Sequence, residues 1–293
     1  MSTPIVYLNG HLLPQEEASI SVLDHGLLYG HAIFETVRTY QGKPFRLGQH
    51  LTRLERGAHE LGITPHMEDL TAAVAAIVDA NSLSDARVRI TLTAGEGGTG
   101  PATSPARGPN LVLTASPLDP TPDEAYEKGH AAIISSIRRS SSSSTARVKT
   151  TNLVEGILAR REAGENEADQ AIMLNEKRCV TECPAANIFF VAYGGLITPS
   201  VDCGLLPGVT RDAIIDLALA QQISIDERWV SVEEIWDAEE IFVTSSVIEV
   251  LPVTSVNGRK VHGGSPGKVT RALTMAYRDL VTEQLGLARA AQA

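Results

Sequence analysis

One lysine in this chain stands where an amine can do chemistry. Lys149 lies in ARVKTTNLVEG, between a run of small residues and the start of a helical pattern. A lysine amine condenses with an aldehyde to give an imine, and burial near other charge lowers its pKa enough to make it nucleophilic. Further on, LLPGVTRDAII sets Pro207 and Gly208 ahead of a helix whose first amides would lack partners. Such a start carries partial positive charge and open N–H groups, a natural seat for a phosphate, and Thr210 adds a hydroxyl. VTECPAANIFF brings Glu182 into a turn before an apolar strand, where a carboxylate could keep a heterocyclic nitrogen protonated. IFVTSSVIEVLPV ends a strand in Thr244, Ser245 and Ser246, hydroxyls able to receive phosphate oxygens. Taken singly, each has a plainer reading. Most lysines are solvated, a threonine before an acidic first turn is an ordinary N-cap, a glutamate can stabilise a turn, and polar residues commonly end strands. Three cysteines, Cys179, Cys183 and Cys203, do not make a disulfide framework. Cys179 and Cys183 have no second pair or His-x-x-x-His to complete a metal site, so no metal is expected.

The elements around these residues alternate between strand and helix. Ile5 to Leu8 and His11 to Leu13 read as a hairpin on an Asn9-Gly10 turn. Ala32 to Tyr40 alternates, with Ile33, Glu35, Val37 and Thr39 on one face and Phe34, Thr36 and Arg38 on the other. From Gly48 to Leu61 the spacing is helical; Leu51, Leu54, Ala58 and Leu61 form a stripe that leaves Arg53 and Arg56 off it. A second helix is predicted over 68–80. Arg87 to Thr93 alternates again, and its polar face of Arg87, Arg89, Thr91 and Thr93 could line a site. A glycine-rich loop from Gly95 to Gly108, whose composition points to mobility, leads to a strand at Leu111 to Ala115. Strands near Ala131 to Ile137, Asp169 to Leu174, Asn187 to Val191 and Ile241 to Thr244 are predicted beyond it. Helices are predicted over Leu153 to Ala163, Thr210 to Ala220 and Gly267 to Leu285.

This mixture makes the fold class α/β (α+β), and 293 residues suit two domains. SPLDPTPDE, rich in proline and turn formers, is the expected linker. The division is 1–118 for a smaller N-terminal domain, 119–125 for the linker and 126–293 for a larger C-terminal domain. A hydrophobic share of 43% with 20% charged residues is that of an ordinary globular protein. A net charge of -10 repels nucleic acid and anionic membrane surfaces, which leaves small molecules as the expected partners. No signal-peptide pattern or membrane-length apolar run is visible, so a cytoplasmic location is expected.

In order, LLYGHAIFETVRTY, the F-R-L-x-x-H-L-x-R-L segment ending at Leu54, ARVKTTNL, VTECPAANIF, LLPGVTRD and FVTSSVIEVLPV resemble the fold-type IV, or class IV, aminotransferases. The resemblance runs from YLNG to GKVTRAL, nearly the whole chain. It implies two α/β domains joined by a short linker, a homodimer with sites near the domain interface, and pyridoxal 5'-phosphate (PLP) as cofactor. Lys149 would carry PLP as a Schiff base and move the substrate proton; Arg53 would pair with the cofactor phosphate, its off-stripe position leaving it available to do so. Glu182 would bond the pyridine nitrogen, Leu206 would pack on the ring, and Val209, Thr210, Ser245 and Ser246 would complete the phosphate cradle. Tyr29, Phe34, Arg38, Arg89 and Val247 would face the substrate. The implied reaction is ping-pong transamination between a branched-chain-like or D-amino acid and a 2-oxo acid such as 2-oxoglutarate.

The chain departs from the branched-chain pattern in three places: Phe34-Glu35-Thr36 for F-E-G, Arg87 for a tyrosine, and Ser245-Ser246-Val247 for G-T-A. The Arg-x-His carboxylate trap of D-amino-acid aminotransferases is not evident between Gly95 and Gly108. VTECPAANIFF is also similar to 4-amino-4-deoxychorismate lyase, so PLP-dependent elimination is the alternative. A PLP-binding protein without turnover is the other.

Overall fold

The computed structural model describes residues 3–64, 69–98, 100 and 107–288. Contacts gather the chain into two compact units, one of Met1–Asp119 with Val148–Asn152 and one of Pro120–Arg147 with Leu153–Ala293. A single cut at the proline-rich stretch does not foresee the return of Val148–Asn152 to the first unit.

The first unit is built on a six-stranded antiparallel sheet. Its elements are β1 (Ile5–Leu8), β2 (His11–Pro14), α1 (His25–Tyr29), β3 (Ala32–Tyr40), β4 (Lys43–Pro44), α2 (Leu47–Glu60), α3 (Leu70–Ala80), β5 (Ala86–Thr93) and β6 (Leu111–Pro117), with strand order β2-β1-β6-β5-β3-β4. Asn9 and Gly10 both take positive φ, as a two-residue hairpin turn requires. The alternation read in β3 is the one that forms. Ile33, Glu35, Val37 and Thr39 are all buried, and Thr39 meets its needs by donating to the Ser84 carbonyl and accepting from the Ala86 amide. Ile33 and Val37 join Val88, Ile90, Leu92 and Leu113 of β5 and β6 and Leu54, Ala58, Val74 and Ile77 of α2 and α3 in one core. Asp69 caps α3 by accepting from the Thr71 and Ala72 amides. Glu68, where the sequence pattern starts this helix, lies outside the described residues.

The returning segment adds a short stretch of pairing to β3. The Phe34 amide donates to the Lys149 carbonyl at 2.9 Å, the Thr151 amide donates to the Ala32 carbonyl at 3.0 Å, and Ile33 bridges Thr150. Val148 is buried in the same core, against the face of α2 at Gly57. Alternation along this stretch then sends Lys149 the opposite way from Val148 and Thr150.

The second unit holds an eight-stranded mixed sheet. It comprises α4 (Asp123–Lys128), β7 (His130–Arg139), α5 (Val154–Glu165), β8 (Gln170–Asn175), β9 (Asn187–Ala192), β10 (Gly195–Pro199), α6 (Val209–Ala220), β11 (Ile225–Arg228), β12 (Glu240–Ser245), β13 (Glu249–Val256), β14 (Arg259–Lys260) and α7 (Lys268–Leu285). The strand order is β11-β10-β9-β12-β13-β7-β8, with β14 beside β13. β8 and β9 are buried at every position, the sign of a sheet covered on both faces. Ile188 and Phe190 enter one cluster, while Phe189 stacks on Phe242 with ring centroids 4.9 Å apart. α4 takes the end of the expected linker into a helix. Among the described residues, no helix is long and apolar enough to cross a membrane.

Asp24 ties the N-terminal part of the first unit to β5. Fully buried, it caps α1 by accepting from the Gly26 amide and also accepts from Thr93 Oγ1 and Asn110 Nδ2, each at 2.7 Å. Asp24→Ala strands the Thr93 and Asn110 donors, and each unsatisfied buried group costs about 1–3 kcal/mol. The expected loss of stability is about 3 kcal/mol, read from the urea midpoint at unchanged slope.

Candidate active site

In the first unit, β3 distributes the expected residues to its two faces. On the outer face, Phe34, Thr36 and Arg38 stand opposite Thr91, Arg89 and Arg87 of β5. The Lys149 amine lies over the Phe34 ring at 4.6 Å from its centroid, and the Arg89 guanidinium is 3.8 Å from the same centroid. Arg89 also donates to Thr91 Oγ1, and its pKa is lowered by burial and by the neighbouring Arg87. Phe34, Arg89 and Lys149 are therefore brought together. Arg38 lies farther along the strand over the Tyr40 ring, and Tyr29 accepts from the Gly100 amide through its hydroxyl at 2.6 Å.

On the inner face, Arg53 is already engaged by the protein, which its off-stripe position had not suggested. Its Nε donates to Glu35 Oε1 and its Nη2 to Glu35 Oε2, both at 2.7 Å. Glu35 sits between Ile33 and Val37 in the inward row of β3, where an ionised carboxylate needs a cation, and α2 supplies one. His50, one turn before Arg53, donates from Nδ1 to Glu35 Oε2 at 2.7 Å. Burial alone would raise the Glu35 carboxyl, but the hydrogen bonds and charges of Arg53 and His50 hold it down to about 2. Burial pushes the His50 imidazole below its ordinary value against the pull of Glu35, and the positive charges of Arg53 and Lys149 push the same way. These influences favour the ionised form of Glu35 and the neutral form of His50.

In the second unit, Glu182 is buried and held by three kinds of donor. Arg139 donates to Oε1, and Asn187 Nδ2 and the Leu206 amide donate to Oε2, each at 3.2 Å. Asn187 also donates to the Leu206 carbonyl at 2.9 Å. Glu182 and Leu206 are thereby joined, and Gly208 is pressed against Asn187: a Cβ there would fall 2.0 Å from its Oδ1. Gly208 is the N-cap of α6, so Thr210 lies inside the helix, buried, and is not the cap. Ser245, Ser246 and Val247 lie half-buried where β12 turns into β13, and Ser245 Oγ accepts from the Ile248 amide.

Reasoning from sequence assigned no role to Glu35, His50, Arg139 or Asn187. The first had a signal, a carboxylate at an inward position of an alternating strand. Arg139 had none, because its partner is 43 residues away.

PLP needs an amine for its aldehyde, an acid for its ring nitrogen and donors for its phosphate, and the residues present fit each. In the first unit Lys149 could supply the amine, and in the second Glu182 could supply the acid. For the phosphate, α6 and α7 make a telling contrast, since each starts from a glycine N-cap. At α7 the Glu240 carboxylate accepts from the Val269 and Thr270 amides and the Thr270 hydroxyl, filling the positive end of the helix. At α6 the N-cap is likewise a glycine, which has no side chain to cap the start. Next to Ser245 in sequence, the buried Thr244 Oγ1 has no hydrogen-bond partner among the described residues, a polar atom that an outside group would satisfy.

Comparison with known proteins agrees. The family model described as amino-transferase class IV matches residues 32–256. A branched-chain-amino-acid aminotransferase of Escherichia coli K12 is 30% identical over 286 residues, 94% of this chain and 93% of that protein. The aminodeoxychorismate lyase of Bacillus subtilis is 31% identical over 278 residues, 94% of each. The solved structure of a T.th. branched-chain amino acid aminotransferase with pyridoxamine 5'-phosphate has a TM-score of 0.90 at 30% identity, covering 97% of this chain and 96% of that one. The chain belongs to the class IV aminotransferases, PLP-dependent enzymes of fold type IV.

Proposed function

We propose that this enzyme exchanges an amino group between a branched-chain-like or D-amino acid and a 2-oxo acid such as 2-oxoglutarate, in two half-reactions that share one site. The observation that carries the reading is the Lys149 amine, fixed through its backbone to β3 and laid over the Phe34 ring beside Arg89. Bound PLP supplies an aldehyde that takes up amino groups and a ring that draws electrons from the bonds at the substrate Cα. Lys149 is the base that removes the Cα proton and the acid that returns it at the cofactor C4' atom. Glu182 keeps the ring nitrogen protonated, and the Arg139 guanidinium donates to that carboxylate. Leu206 packs on the ring, while Arg53, Val209, Thr210, Ser245 and Ser246 hold the phosphate. Phe34, Arg89, Arg38, Tyr29 and Val247 bound the substrate, with Arg89 gripping a carboxylate through its paired N–H groups. A cytoplasmic homodimer completes the reading. Exposed apolar side chains such as Val22 and Leu27 are what an assembly would cover.

The similarity to aminodeoxychorismate lyase over nearly the whole chain favours elimination as the second reading. A panel of L- and D-amino acids watched by cofactor absorbance separates the two. Transamination leaves pyridoxamine phosphate after one half-reaction; elimination returns the aldehyde form. Failure of every amino acid to produce pyridoxamine phosphate defeats the transaminase reading.

Lys149→Ala is expected to lose the absorption of lysine-bound PLP and nearly all turnover while far-UV circular dichroism is unchanged. A variant with wild-type rate would remove Lys149 from the chemistry. Arg89→Leu is expected to raise KM for 2-oxoglutarate about tenfold, the loss of one charge-assisted contact, while PLP affinity changes less. Steady-state kinetics of both half-reactions measure this.

A further inference from the structure

Glu35 is a costly residue for its place. It is fully buried in a row with Ile33 and Val37, packed under α2, where an apolar side chain would avoid the desolvation of a carboxylate. Stability therefore gives a poor reason for it, and geometry gives a better one. Arg53 is presented to Glu35 along one edge, both contacts at 2.7 Å, which fixes the plane as well as the place of the guanidinium. His50, 2% exposed, holds Oε2 from a third direction, so the carboxylate itself cannot swing.

The strand that carries Glu35 also carries the lysine segment. Phe34, the residue before it, donates its amide to the Lys149 carbonyl and lays its ring under the Lys149 amine. Neighbouring residues of one strand thus set the two cations, Lys149 through Phe34 and Arg53 through Glu35. We propose that Glu35 is the positioning residue for the phosphate-binding guanidinium: it locks Arg53 to the strand that also roots the Lys149 segment. This rests on the reading that Arg53 meets the cofactor phosphate.

The sign of the effect distinguishes positioning from simple electrostatics. Removing the Glu35 charge leaves Arg53 less neutralised, so a charge effect alone would tighten the binding of an anionic phosphate. Loss of position weakens it. The experiment titrates PLP and pyridoxal, which lacks the phosphate, into cofactor-free full-length enzyme by absorbance, for wild type, Glu35→Gln and Arg53→Ala. Arg53→Ala is expected to weaken PLP at least about tenfold and pyridoxal little. Glu35→Gln is expected to weaken PLP about fivefold or more with pyridoxal within about twofold, a loss confined to the ligand that has a phosphate. Tighter PLP binding, no change, or an equal weakening of both ligands in Glu35→Gln overturns the proposal while leaving Arg53 on the phosphate. An Arg53→Ala variant with an unchanged ratio of the two affinities overturns the Arg53 reading and the proposal with it. Should Glu35→Gln fail to fold, Glu35→Asp keeps the charge but draws the carboxylate back by one methylene. The same PLP-confined loss is expected there, and equal or absent changes in the two affinities overturn the proposal.

Discussion

Two backbone hydrogen bonds along one edge of β3 decide where the Lys149 amine can be. A lysine side chain has four rotatable bonds, so only its root can be fixed cheaply, and here the root is fixed by the Phe34 amide and the Ala32 carbonyl. Burial of Val148 in the core below selects which way the alternation falls, and Lys149 goes to the side of the Phe34 ring. Two neighbours in the first unit are set by the same strand. β5 pairs with it in a register that sets Arg89 across from Thr36, and α2 packs on it through Leu54 and Ala58.

The two units solve the same electrostatic problem by different means. A buried carboxylate remains ionised only when donors replace the water it has lost. Glu35 receives a guanidinium edge and an imidazole, all from α2, so its partners lie one helical turn apart. Glu182 draws on β7, on the start of β9 and on the loop before α6, and its environment exists only when the large sheet has formed. Folding of the second unit is thereby coupled to the placing of the Glu182 carboxylate.

Local chemistry was legible in the sequence and long-range partnership was not. Asn9-Gly10 announced its turn because few residues tolerate positive φ, and the alternation of β3 placed Ile33, Glu35, Val37 and Thr39 inward as the structure has them. The start of α6 followed from Pro207 and Gly208, although the cap is Gly208 and the threonine lies within. What period and propensity could not tell was which cation would answer Glu35, because the off-stripe position of Arg53 says only that it avoids the leucines. Nor could they tell that Val148–Asn152 would leave the neighbouring chain to pair with β3, since an edge pairing of so few residues has no pattern of its own.

That returning segment makes the first unit discontinuous. A fragment ending near Asp119 would keep the antiparallel sheet yet leave the Phe34 amide and the Ala32 carbonyl of β3 unpaired, an open edge of the kind that invites pairing between molecules. The remaining fragment would inherit Lys149 without the strand that roots it. Neither half of the gene, expressed by itself, can therefore encode a placed Lys149 amine, which belongs to the chain as an undivided whole.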